Sequence, residues 1–184
     1  NVNYGIWVDG VFSWIGSNGW FCNPVSRSET ERIYINRSLH LSVTVKINDY
    51  DGAILQVFSI HNLIDRQRKI KLFFSQNLME EAKDSISFYA PSIQAIVRSY
   101  NNHYLLLNGE LKTRGIVQYC TDFEECSLLN DGFVAIQPFS INSEISIFSL
   151  EGELKENEQA DAYFWLCTGE DEEDVLKSNN NTKL

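Results

Sequence analysis

Two β-rich runs, Tyr4-Gly5-Ile6-Trp7-Val8 and Val11-Phe12-Ser13-Trp14-Ile15, are separated by Asp9-Gly10 alone. That spacing leaves little choice of local structure. A two-residue loop between antiparallel strands takes a primed turn, and Asp-Gly suits type I′, which needs positive φ at both central residues. In this register Val8 faces Val11 and Trp7 faces Phe12, which sets an aromatic pair on one face of the ribbon. Ser17-Asn18-Gly19 then punctuates the chain, and Trp20-Phe21 opens the next extended run.

The alternation of extended run and turn continues. Strands are expected at Arg32–Asn36, Leu39–Ile47, Ala53–Asn62, Lys69–Asn77, Ser85–Tyr89, Ala95–Tyr100, His103–Asn108, Phe133–Ile136, Glu144–Leu150 and Ala160–Cys167. Leu39, Leu41, Val43, Val45 and Ile47 show the period-2 pattern most clearly. Asn48–Gly52, Leu63–Gln67 and Asn101-Asn102 read as turns. No sustained helical period precedes residue 168 and no internal repeat is found, so the pattern predicts an all-β fold, a large antiparallel sandwich over 1–168. Residues 169–184 read as an acidic helix start and a linker or tail. Thr168 or Gly169 is the expected cap, Glu170–Asp174 place negative charge at the positive end of the helix dipole, and Ser178–Lys183 read as a frayed end.

With 25 acidic against 15 basic residues the net charge is -10, which disfavours nucleic acid and anionic lipid as partners. No run approaches the ~20 apolar residues of a membrane span, and no signal peptide opens the chain, which favours a cytoplasmic setting for this stretch. The first residue is Asn1 rather than Met, as expected of a processed product or a piece of a longer protein.

The search for chemistry returns little. Cys22, Cys120, Cys126 and Cys167 have no C-x-x-C spacing and no His pair beside them, so no zinc site and no cofactor is expected. Cys120 and Cys126 are near enough to close a small disulfide loop, but all four read first as small buried hydrophobes. Asp49 and Asp51 flank Tyr50 ahead of Gly52 without the later ligands of a calcium loop. His40, His61 and His103 are scattered, and no serine sits in a G-x-S-x-G turn. Asp122, Glu124 and Glu125 form an acidic loop that can reach a substrate cleft, although a solvated loop is the better reading. Trp7, Trp14, Trp20 and Trp165 are the remaining candidates, either as a domain interface or as sugar-stacking rings; core packing is the plainer reading.

The run Gly5-Ile6-Trp7-Val8-Asp9-Gly10-Val11-Phe12-Ser13-Trp14, with Gly19-Trp20 after it, resembles the GVWVDGxFSWL…GW signature of the N-terminal domain of prokaryotic glucoamylases, glucodextranases and related trehalases of glycoside hydrolase family 15. Val57–Leu63 and Lys69–Asn77 resemble that family's paired strands, in which RNL precedes VRLFFHQDF. Phe88–Pro91 is similar to its AFYDP, Tyr104–Gly109 to its YFLVNG, and Ala162–Glu170 to its YYWIAAGE. The resemblance implies a super-β-sandwich that is not itself catalytic and packs on a helical (α/α)6 catalytic domain acting on α-glucan or trehalose. Two departures stand out. The opening strands with a GNG stretch are missing, which leaves an edge that a second copy can pair with, and the barrel carrying the catalytic glutamates is absent, so no catalytic residue carries over. An autonomous carbohydrate-binding sandwich is the alternative, recognised by two coplanar exposed rings on one face.

Overall fold

The computed structural model describes residues 1–24, 29–50, 52–124 and 127–183. Asp51, Glu125 and Cys126 lie outside the described residues, and with Cys126 the pairing to Cys120. In chain order the strands are β1 (Val2–Val8), β2 (Val11–Trp14), β3 (Trp20–Pro24), β4 (Glu31–Asn36), β5 (Leu41–Tyr50), β6 (Ala53–Asn62), β7 (Arg68–Asn77), β8 (Ile86–Ala90), β9 (Ala95–Tyr100), β10 (His103–Leu111), β11 (Gln118–Cys120), β12 (Phe139–Ile141), β13 (Ile145–Leu154) and β14 (Gln159–Gly169). Helix α1 (Glu172–Thr182) follows, and Met79–Ala82 and Ser127–Asp131 form short 3-10 turns.

The strands make a five-stranded sheet, β11-β13-β7-β1-β2, and a nine-stranded sheet, β12-β8-β9-β10-β14-β6-β5-β4-β3. Neighbouring strands run antiparallel throughout. The all-β sandwich expected from the turn spacing is the fold observed.

The hairpin has the expected register, Val8 opposite Val11 and Trp7 opposite Phe12. Asp9 and Gly10 have φ of 52° and 78°, as a type I′ turn requires. Asp9 does more than turn the chain. Its carboxylate accepts from Arg66 Nη2 at 2.9 Å and from Arg68 Nη1 at 3.2 Å. Arg68 is buried and also donates to the carbonyls of Leu39 and His40 and to Asn62 Oδ1. Asn62 in turn donates to the carbonyls of Arg66 and Lys155, so the Asn-Leu pair of the sequence resemblance has a physical role: it ties three chain segments at one end of the sandwich.

Between the sheets lies the main core. Ile6, Val8, Ile70, Leu72, Phe74, Phe148 and Leu150 from one sheet meet Leu41, Val43, Phe58, Ile60, Leu107 and Phe164 from the other. Phe74 is its centre, with Phe164 stacked at 4.9 Å and Tyr4, Phe58 and Phe148 at 5.2 to 5.5 Å. Emptying such a site by Phe→Ala costs about 3–5 kcal/mol in comparable cores. At the other end Arg98, fully buried, spans the sheets and makes no salt bridge within 4 Å among the described residues. Its guanidinium donates to Ser87 Oγ, to the carbonyl and side-chain oxygen of Gln76, and to the carbonyls of Ser143 and Glu144. Burial pulls its pKa down to about 10.

The structure departs from the sequence reading in four places. Asn48–Tyr50, read as part of a turn, instead close β5 against β6, with Gly52 in the turn between them. Phe133–Ile136 is not a strand but part of an irregular segment crossing between the sheets, and β11 and β12 take the pairing roles there. Thr168 and Gly169 belong to β14, and the cap of α1 is Asp171, whose Oδ1 accepts from Asp174 N at 2.9 Å while Asp174 Oδ2 accepts from Glu170 N at 3.2 Å. The first bond is an N-cap, and the second ties the residue before the cap to the first turn. Residues 178–182 are helical rather than frayed, because Asn179 is buried and its Oδ1 accepts from Trp165 Nε1 at 2.8 Å and Asn108 Nδ2 at 3.1 Å. β1 is paired on both sides, by β2 and β7.

Candidate functional site

Each sheet also has an outer face, and the two are covered differently. On the nine-stranded sheet α1 sits over Ala53, Leu55, Leu106, Trp165 and Cys167, with Val175 fully buried against them. On the five-stranded sheet the irregular segment 121–137 covers Phe73 and Ile147 with Phe123, Leu129 and Val134, and Trp7, Phe12 and Trp14 flank this cluster.

The covering segment is pinned at one end by a buried polar latch. Lys71 Nζ donates to the Gly132 carbonyl at 2.8 Å and pairs with Glu151 Oε1 at 3.3 Å. It also lies 5.2 Å from the Trp7 ring and 4.1 Å from the Phe133 ring, distances at which a cation is attracted to the ring face. Trp7 Nε1 donates to the Asn130 carbonyl at 3.1 Å, and Gln118 Oε1 accepts from Val134 N at 2.9 Å. Gly132 has φ of 77°, and a Cβ there would meet the Trp7 indole at 3.0 Å. Only glycine fits both the backbone and the ring.

Asn3 and Ser75 are directly paired across β1 and β7, and with Trp14, Phe123 and Ile145 they line a cavity of about 260 Å³. Phe123 is also a wall of a neighbouring cavity of about 400 Å³ that reaches Asp122, Glu124 and Gln137.

These positions sort the residues singled out in the sequence. Trp7 and Trp14 share the outer face of the five-stranded sheet, Trp7 committed to the latch and Trp14 on the cavity. Trp20 packs against the main core and donates to Ser13 Oγ at 2.8 Å. Trp165, 3% exposed, lies under α1. Asp122 and Glu124 are exposed on either side of Phe123, and Glu125 is outside the described residues. The two coplanar ring pairs, Phe74–Phe164 and Tyr89–Tyr119, are buried or half-buried, so neither forms a flat external platform. Asn3, Ser75 and Lys71 carried no signal in the sequence, since their roles depend on strand pairing between distant segments.

Little of this arrangement suits acid-base catalysis. A glycosidic general acid needs a carboxyl with raised pKa opposite a second carboxylate. The Asp9 carboxyl moves the other way: burial pushes it up, but hydrogen bonds from Arg66 and Arg68 prevail and hold it below the ordinary range. Glu158 is lowered too, by hydrogen bonds from Lys112 and the Lys155 backbone. Among the described residues no three His, Cys, Asp or Glu side chains converge as a metal site.

A second feature lies on the rim formed by β8 and β12. Phe139 and Ile141 are 53% and 59% exposed. They pair with Phe88 and Ile86, and Ile136 beside them is 64% exposed. Residues 132–143 contain no charged side chain, in a chain whose net charge is -10.

The sequence matches no protein-family model and no curated protein. Its structure is similar to that of a bacterial glucoamylase complexed with acarbose, with a TM-score of 0.71 and 10% identity over 98% of this chain and 28% of that one. It is also similar to a polysaccharide lyase, with a TM-score of 0.57 and 10% identity over 97% of this chain and 27% of that one. The chain thus spans little more than a quarter of either protein. The likeness implied by the Gly5–Trp14 run holds at the level of fold: the chain is an all-β sandwich of the kind found within bacterial glucoamylase.

Proposed function

We propose that the chain is a non-catalytic sandwich domain of a carbohydrate-active enzyme, of the family 15 glycoside hydrolase type, which packs on and supports a helical (α/α)6 domain that cleaves α-glucan or trehalose. The observation that carries this reading is the overlay of 98% of the chain on 28% of a glucoamylase. The lowered carboxyls of Asp9 and Glu158 agree with chemistry performed elsewhere.

The uncharged rim is the face assigned to the partner. Four apolar side chains on two paired strands, with Ile136 beside them, make the kind of exposed patch that marks a docking surface. An isolated chain should therefore associate weakly with itself, and sedimentation velocity over a concentration series measures this. Phe139→Asp with Ile141→Asp, both on exposed positions, should restore a monomer while leaving the circular dichroism unchanged. A wild-type chain that stays monomeric at every concentration counts against the rim as a docking face.

A further inference from the structure

We propose that the cavity between Trp14 and Phe123 is a binding site for one neutral pyranose ring. This site is separate from the apolar rim and from the supporting role, and stands or falls independently of them.

Three observations converge on it. First, Ser75 lines the cavity, and no side-chain hydrogen bond of Ser75 is seen among the described residues. A hydroxyl on a cavity wall with no protein partner there is available to a ligand. Second, the Asn3 side chain faces Ser75 across the β1–β7 ladder, which adds an amide donor and acceptor at hydroxyl height. Third, the Trp14 indole stands on the same wall, held edge to face against Phe12 at a centroid separation of 4.9 Å. Gly5, paired opposite Trp14, makes this possible: a Cβ there would collide with Phe12 and come within 3.3 Å of Trp14.

The lining selects the ligand class. None of the described lining residues, Asn3, Tyr4, Trp14, Ile15, Ser75, Phe123 and Ile145, is charged, so among them neither a phosphate nor an ammonium group finds a counter-charge. A pyranose presents a C–H face that stacks on an indole and an equator of hydroxyls that pair with amide and hydroxyl groups. The volume of about 260 Å³ lies just below the ~300–1,000 Å³ typical of drug-sized ligand sites. That suits a single ring with its glycosidic oxygen leading out past Phe123 toward the neighbouring cavity, where Asp122 and Glu124 can meet further hydroxyls.

The test uses the four indole N–H resonances in a ¹⁵N correlation spectrum, with methyl α-glucoside, maltose and trehalose titrated to ~50 mM, well above a millimolar Kd. The Trp14 signal should shift saturably. Those of Trp7, Trp20 and Trp165, none of which lines the cavity, should not. Ser75→Ala and Asn3→Ala remove one group each without touching the packing of Trp14, and each should weaken binding roughly three- to ten-fold. The proposal is overturned by no saturable Trp14 shift with any of the three sugars. It is equally overturned by binding that both variants leave unchanged, or by an equal response to cyclohexanediol, which offers the apolar ring without the pattern of hydroxyls.

Discussion

The two outer faces of the sandwich meet the same requirement, covering apolar sheet surface, in opposite ways. Over the nine-stranded sheet a capped helix lies flat, and the Asn179 side chain closes the two polar groups beneath it, Trp165 Nε1–H and Asn108 Nδ2–H. Over the five-stranded sheet an irregular segment is pinned at Gly132, and Phe123 from it lines a cavity with Trp14 and Ser75. A helix satisfies its own backbone and seals evenly, whereas a loop must be fixed residue by residue and leaves openings where the fixing ends. The two cavities that Phe123 lines, of about 260 and 400 Å³, lie beside this loop.

The comparison can be broken at its fastenings. Lys71→Ala leaves the Glu151 carboxylate, 11% exposed, without its cation and should cost about 3–5 kcal/mol, measured by urea unfolding. Hydrogen exchange should show the loss concentrated in residues 127–137, with α1 spared. Asn179→Ala strands two buried donors and should cost about 2–4 kcal/mol, now with the loss of protection in α1 and the loop spared. Equal loss of protection on both faces in either variant would show the faces to be one cooperative unit.

A smaller effect is expected from acid. The Asp9 carboxyl is held below its ordinary range in the folded chain, so its contribution is present above the unfolded pKa of about 3.9 and is lost as pH falls through the lower folded value. Asp9 is partly open to solvent, which keeps the effect small. Urea midpoints from about pH 5 down to pH 2 should fall less steeply in Asp9→Asn than in the wild type once scaled to their plateaus.

The hairpin was legible because its determinants are adjacent: Asp9-Gly10 dictates the turn, the turn dictates the register, and the register places Trp7 and Trp14 on one face. The Asn101-Asn102 turn is readable for the same reason, with φ of 45° and 61°. Phe133–Ile136 misled because its apolar residues serve as a cover rather than a strand; Val134 is buried in that cover and its N–H goes to a side chain, Gln118. The end of α1 was missed because Asn-rich sequence has poor helix propensity, which the burial of Asn179 overrides. Ser75 and Asn3 were invisible in sequence, since their meeting depends on the β1–β7 ladder and the cavity they line draws Phe123 from a distant loop. The family-like signature implied the sandwich, but the likeness in fold to part of a glucoamylase at 10% identity rests on the structure.

The proposed role is to support carbohydrate chemistry without performing it. The direct measurement is glucose release from maltooligosaccharides and trehalose by the purified chain, followed beside Asp122→Asn and Glu124→Gln variants. The account predicts no release above the buffer rate for any of the three proteins. Sustained release by the wild type that either variant abolishes would contradict it and make the loop beside Phe123 an active site.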